Sequence, residues 1–222
     1  MNNMNPRTIE AISQDGILAR NKVLRQTYIL LAMNVLFSAV CAYLGMRLGI
    51  GRIPPALALL GIFALSWAVS ANRNNGLGIA LLFAFTGGLG FYLSAYLSLL
   101  MGVGMGGIIV KALAGTAILF FGLSAYVLFS GVNFSFLGGF LYTGIMVAFL
   151  ASIGGWVFGM SALSLAASAA FLVISSGYVL YNTSNIIQGE ETNYIMATMD
   201  LFINIFNMFL SLINILTAFN RN

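Results

Sequence analysis

YIMATMDLFINIFNMFLSLINILTAF, residues 194–219, is apolar enough to cross a bilayer and yet carries Asp200, Asn204, Asn207, Ser211 and Asn214. Those five positions step by four, three, four and three. On an α-helix, steps of three and four keep side chains on one face. Leu, Ile, Phe and Met fill the remaining faces. Lipid cannot satisfy a polar stripe, so the stripe must look toward protein or water. This helix is therefore expected to stand at the centre of the fold, with the others packed around it.

A second stripe lies just upstream, through Ser161, Ser164, Ser168, Ser175, Asn182 and Asn185. Most of its steps are three, four or seven. The short connector 186–193 separates the two helices, so they are expected to pair antiparallel with polar faces turned toward each other. Two readings stay open. Small and amide side chains are common glue between packed membrane helices. A lined pathway would use the same residue types, and Asp200 favours it, because an ionisable group at depth is costly and often functional.

Composition sets the class. Of the 222 residues, 60% are hydrophobic and 6% are charged, and the mean hydropathy is +0.99. Soluble domains carry about 25% charged residues. From Ala112 to Gly189 no charged residue occurs at all. A span needs roughly 20 residues, so that run alone has room for three. The sequence is that of an all-α integral membrane protein.

In chain order, residues 1–25 read as a polar cytoplasmic tail containing Arg7, Glu10 and Asp15, with some apolar residues able to form a short surface helix, and residues 26–222 as a transmembrane domain of seven helices. Helices are expected near 26–48, 55–71, 77–101, 108–129, 136–158, 162–185 and 194–219. Pro54 and Pro55 open the second, where a missing N–H matters least. Asn72-Arg73-Asn74-Asn75-Gly76 is a turn with an Asn-Gly signal. Gly87, Gly88 and Gly90 interrupt the third helix and allow either a kink or a close helix contact. Gly45 with Gly49, and Gly155 with Gly159, stand at small-xxx-small spacing. Lys111 is placed to snorkel at the edge of helix four. The polar first 25 residues do not have the form of a cleavable signal peptide.

The net charge of +4 is no sign of nucleic-acid binding, since the basic residues are scattered. Only Arg20, Lys22 and Arg25 cluster, beside the first span, where topology-setting charges sit. A cytoplasmic N-terminus puts Arg7, Arg20, Lys22, Arg25 and Arg73 inside, and Arg47, Arg52, Lys111 and Arg221 outside or at the outer edge. The cluster favours that orientation and an external C-terminus. Cys41 is the one cysteine, so no intramolecular disulfide forms.

Much chemistry is excluded. The chain has no histidine, which removes H-E-x-x-H zinc sites and any histidine base. An aspartyl dyad needs two membrane acids, and Asp200 is the single Asp or Glu inside the expected spans. Gly159-Met160-Ser161 looks like half a nucleophile motif without a partner base. Glu190 and Glu191 read as a solvated loop lacking a third metal ligand. Gly102, Gly104 and Gly107 match G-x-G-x-x-G, but membrane helices rather than a βαβ unit flank them, so the segment reads as a flexible link. No cofactor is expected.

Three stretches carry a family resemblance. The first, Lys22-Val23-Leu24-Arg25-Gln26-Thr27-Tyr28, leads into helix one. Next comes Thr116-Ala117-Ile118-Leu119-Phe120, downstream of Thr86-Gly87-Gly88-Leu89-Gly90. The most specific is Ser175-Ser176-Gly177 with Thr183-Ser184-Asn185-Ile186-Ile187 and Glu191-Thr192-Asn193-Tyr194-Ile195. Together they resemble the Bax inhibitor-1 family, in its bacterial YccA-like branch, over nearly the whole chain from about Asn21.

That resemblance implies seven helices with the seventh central, and a regulator of FtsH, the membrane-anchored ATP-dependent protease of the inner membrane. It also implies a second possibility, a cation leak for calcium or protons along helices six and seven. The family's channels use an aspartate pair on those helices and an arginine on helix two. Here Asn182 and Asn204 occupy the two aspartate positions, and helix two has no arginine. The candidate polar pathway or gate is Asp200, Asn204, Asn207, Ser211, Asn182 and Ser175. Expected partners are FtsH and the lipid bilayer, with calcium or a proton for the leak.

Overall fold

In a computed structural model, residues 6–49 and 54–220 are described. Arg52, Arg221 and the side chains of Arg7, Glu10, Asp15 and Arg20 lie outside the described residues. Seven α-helices follow one another: α1 Pro6–Arg47, α2 Pro55–Ala71, α3 Gly76–Gly102, α4 Gly106–Ser130, α5 Gly138–Val157, α6 Ser161–Gln188 and α7 Tyr194–Asn220. A 3₁₀ turn, Ser135–Leu137, precedes α5. Six stretches are long and apolar enough to cross a membrane: Asn21–Arg47 and all of α3, α4, α6 and α7, with Ser135–Val157 around α5. The shorter α2 has 17 residues, about 26 Å at 1.5 Å per residue.

Local chemistry explains the ends. Pro54 and Pro55 start α2, where proline's fixed φ suits the first turn. Asn75 caps α3, its side-chain oxygen accepting from the Gly78 N–H at 3.2 Å. Asn193 caps α7 twice, accepting from the Ile195 and Met196 N–H groups at 3.0 and 3.1 Å. At the end of α6, Gly189 takes φ +78°, and the Gly189 and Glu190 N–H groups bond back to Ile186 and Asn185. This is a Schellman closure, and it needs the left-handed conformation that glycine adopts without strain. It also carries α6 to Gln188, three residues beyond the expected end, so the connector is only 189–193.

Helix one differs more. It was expected to begin near residue 26, but α1 is helical from Pro6 onward. Polar residues before a span do not stop a helix when no proline interrupts them, and α1 runs through Gly16 without ending there. Here the next proline after Pro6 is Pro54.

The glycines of α3 are contact points. The helix runs unbroken from Gly76 to Gly102. A Cβ at Gly90 would strike the Ser38 carbonyl, and one at Gly45 would strike the Ser94 hydroxyl. A Cβ at Gly87 would meet the Phe37 ring at 2.7 Å. Small residues thus let α1 and α3 approach backbone to backbone. Asn34, fully buried on α1, accepts from the Thr86 hydroxyl at 2.8 Å and donates to the Leu30 carbonyl at 2.8 Å. Gly155 abuts Ser164 across α5 and α6, while Gly49 and Gly159 have nothing near and serve as left-handed helix ends.

Directions follow from these contacts. Asn34, Ser38 and Gly45 meet Thr86, Gly90 and Ser94 in ascending order, so α1 and α3 run parallel. Ile195 meets Gly78 and Asn214 meets Tyr96, so α7 is parallel to α3 as well. By contrast α6 runs antiparallel to α7, since Ser168 meets Asn214 and Ser176 meets Met208. Helix α7 packs against α1, α2, α3, α4 and α6, whereas α5 packs on α6 and the 3₁₀ turn. The main core gathers Leu82, Phe85, Val179, Ile186, Leu201 and Met208.

Candidate functional site

The two polar stripes meet in a register that repeats by heptads. Asn214 on α7 donates its amide to the Ser168 hydroxyl on α6 at 3.3 Å. Seven residues back on α7 is Asn207, and seven forward on α6 is Ser175. A further heptad brings Asp200 and Asn182 to one level. Seven residues are close to two helical turns, so each stripe keeps its face from level to level. Extended by heptads from the observed Ser168–Asn214 contact, this register puts Ser175 at the level of Asn207 and Asn182 at the level of Asp200, in three polar rungs about 10 Å apart.

The rungs are not equivalent. At the outermost, the Tyr96 hydroxyl of α3 donates to Asn214 Oδ1 at 2.9 Å, and Ser168 passes its own proton to the Ser164 carbonyl at 3.0 Å. Three helices are tied there. At the middle rung the Ser175 hydroxyl is completely buried with no hydrogen-bond partner, and Asn207 is half-buried. At the third rung Asn182 and Asp200 are both half-buried. Among the described residues no hydrogen bond reaches the Asp200 carboxylate, while its backbone carbonyl accepts from Asn204 Nδ2 at 2.8 Å. Tyr178 on α6 and Glu191 in the connector lie within electrostatic reach of that carboxylate. Asn204 and Ser211 are buried. Thr27, Ser124 and Thr217 are the other buried hydroxyls without a partner among the described residues.

Beyond the third rung the loops are stitched together. Asn193 Nδ2 donates to the Arg73 carbonyl at 2.9 Å and to Asn74 Oδ1 at 3.0 Å. Ser184 accepts from the Phe134 N–H at 2.9 Å, and the Ser135 hydroxyl donates to Glu190 at 3.0 Å. Thr198 reaches the Thr27 carbonyl at 3.3 Å, and Tyr28 pairs with Thr183 at 3.3 Å. The α2–α3 turn, the α4–α5 loop and the connector therefore share one end of the bundle. Glu190 and Glu191 belong to this lattice, and no group of three metal-ligating side chains occurs among the described residues.

Sequence reading found both stripes but missed Tyr96, Asn193 and Asn34. Asn193 had a visible signal, since an asparagine just before an apolar helical run is a cap candidate. Asn34 could have been flagged as a lone amide in an apolar span. Tyr96 carries no such mark, because its partner is 118 residues away.

A bundle of long apolar helices with a stripe of amides and hydroxyls between two of them is a multi-pass α-helical membrane protein. More particularly, the chain belongs to the family described as "Inhibitor of apoptosis-promoting Bax1", Bax1-I, whose profile matches residues 20–221. It is 43% identical over 207 residues to the modulator of FtsH protease YccA of Escherichia coli K12, covering 93% of this chain and 94% of that one. The same identity and coverage hold for the inner membrane protein YccA of Escherichia coli O6:H1. A membrane protein of Vibrio cholerae is 36% identical over 219 residues, covering 98% of each chain. These matches bear out the resemblance carried by the three sequence stretches.

Proposed function

We propose that this protein is a non-enzymatic regulator of the bacterial inner membrane that binds and modulates the FtsH protease. The observation that carries this reading is the 43% identity, over 93% of the chain, to a protein named for modulating FtsH. The absence of histidine supports a role without catalysis.

The functional unit is a bundle of seven crossings with α7 central, preceded by the cytoplasmic tail 1–25. Two features support this. Parallel α1 and α3 need a return between them, and α2 is the segment available to make it. Helix α7 touches every helix except α5. With the basic cluster before helix one inside, reporter fusions at the N-terminus, at Asn74 and at Glu190 will read cytoplasmic, and a fusion after Arg221 will read external. A cytoplasmic C-terminus would contradict seven crossings.

One structural observation favours a second reading, a cation leak along the seam: among the described residues the middle and third rungs carry polar groups that no hydrogen bond ties across the helices. Asp200 is the acid within that seam, with Tyr178 and Glu191 within electrostatic reach of it. If the seam conducts, Asp200→Asn will remove the pH dependence of cation flux in reconstituted vesicles and leave FtsH binding intact. A wild-type protein without flux between pH 5 and about 8, where a perturbed carboxyl titrates, leaves the regulator alone.

A further inference from the structure

We propose that the loop joining α4 to α5 is a membrane-inserted wedge, whose aromatic side chains sit in lipid at the headgroup–acyl boundary of the leaflet at the connector end. The proposal goes beyond the protease reading and does not depend on it. The loops at this end of the bundle differ in composition. The α2–α3 turn carries Arg73 with three asparagines, and the connector carries Glu190 and Glu191. The α4–α5 loop has no charged residue, and its large apolar side chains point outward. Phe129 is 91% exposed, Phe136 76% and Phe140 70%, and Val132 is exposed as well. Its polar groups are turned back into the protein instead. Asn133 Oδ1 accepts from the Ser135 N–H at 2.7 Å, and the Ser135 hydroxyl is held by Asn133 and Glu190.

A contiguous exposed apolar patch marks a contact with a membrane or a partner. Here depth, backbone bonding and continuity assign it to lipid. The Phe134 N–H bonds to Ser184, four residues before the end of α6 at Gln188. The loop therefore crosses about 6 Å short of that helix end, at 1.5 Å per residue, with the connector farther out. Interfacial apolar faces bury roughly 5–10 Å into the headgroup and acyl boundary. Irregular backbone at lipid depth must find its hydrogen bonds inside the protein. The N–H groups of Gly131, Val132, Phe134, Ser135 and Leu137 all do so. The patch is also continuous with exposed apolar residues deeper in the spans, through Phe121 on α4 and Val147 on α5. Its shape is fixed from behind, since the Phe134 ring packs between Tyr126 and Phe136 at 6.1 and 6.3 Å. Aromatic side chains are enriched at the membrane–water interface, and cytoplasmic loops that face water carry an excess of Lys and Arg, which this one lacks.

Tryptophan fluorescence in lipid vesicles tests this. The two native tryptophans are removed as Trp67→Phe and Trp156→Phe. One reporter is then introduced, either Phe136→Trp in the loop or Gln188→Trp at the exposed end of α6. The quenchers are aqueous acrylamide and phosphatidylcholine brominated on its acyl chains close to the headgroup. Bromolipid is expected to quench the loop reporter severalfold more than the α6 reporter, and acrylamide to quench them in the opposite order. Phe129→Trp is expected to give the same result and takes the place of Phe136→Trp if that variant does not accumulate. A loop reporter quenched by acrylamide as strongly as the α6 reporter, and no better by bromolipid, would put the loop in water and overturn the proposal. A loop reporter reached by neither quencher would mean that protein, such as a second copy of this chain, covers the face, and would overturn it equally.

Discussion

Gly90→Leu is expected to abolish accumulation of folded protein, while Gly88→Ala, two residues away, leaves it unchanged. The contrast rests on what a side chain would meet. At Gly90 a Cβ runs into the Ser38 backbone carbonyl, and a helix backbone cannot move aside as a side chain can. At Gly88 the nearest atom is a Leu65 methyl at 3.9 Å, an ordinary contact. Overpacking a well-filled core costs about 1–3 kcal/mol, occasionally more, and a leucine here would have to separate α1 from α3. Doing so would also break the Thr86–Asn34 bond and leave a buried amide oxygen unpaired. Alanine at 88 gains up to about 1 kcal/mol of helix propensity. Size-exclusion profiles and thermal stability of the detergent-solubilised variants check both outcomes. Equal stability of the two would show that the α1–α3 contact is looser than described.

The second large effect concerns the N-terminal arm. Deleting the first ten residues is expected to lengthen the half-life of the protein severalfold in cells containing FtsH, with binding to the protease retained. Helix α1 continues ahead of its apolar span, which starts at Asn21, back to Pro6. As a helix those fifteen residues reach about 22 Å, less than half of what an extended chain would span. With the N-terminus inside, as proposed, that still suffices to present it beyond the lipid headgroups to an ATP-dependent protease on the cytoplasmic side. Pulse–chase decay of full-length and truncated chains measures the effect, and co-purification measures binding. Equal half-lives would remove the arm as a handle.

The parts of the fold written in hydrophobicity were legible. Charge-free runs and turn residues placed α2 through α7 within a few residues of their observed ends, because bilayer thickness fixes span length. The two stripes were also legible, since a polar residue in lipid leaves few alternatives. Two features were hidden. The start of α1 was one: the few apolar residues of the tail allowed a short surface helix, but nothing in them showed that it continues into the first span. Pairing across the bundle was the other: nothing in Tyr96 or Asn214 names its partner. The heptad match of Ser168, Ser175 and Asn182 with Asn214, Asn207 and Asp200 becomes visible only once one contact fixes the register. Likewise Gly87, Gly88 and Gly90 looked alike in sequence, and their different surroundings appeared only with α1 in place.

Co-purification from native membranes tests the central claim most directly. With an affinity tag on this protein at its natural level, mild detergent extraction is expected to bring down FtsH. The turnover of an FtsH membrane substrate is expected to change when the tagged protein is overproduced. Recovery of the intact, folded protein without FtsH, together with unchanged substrate turnover, would contradict the account.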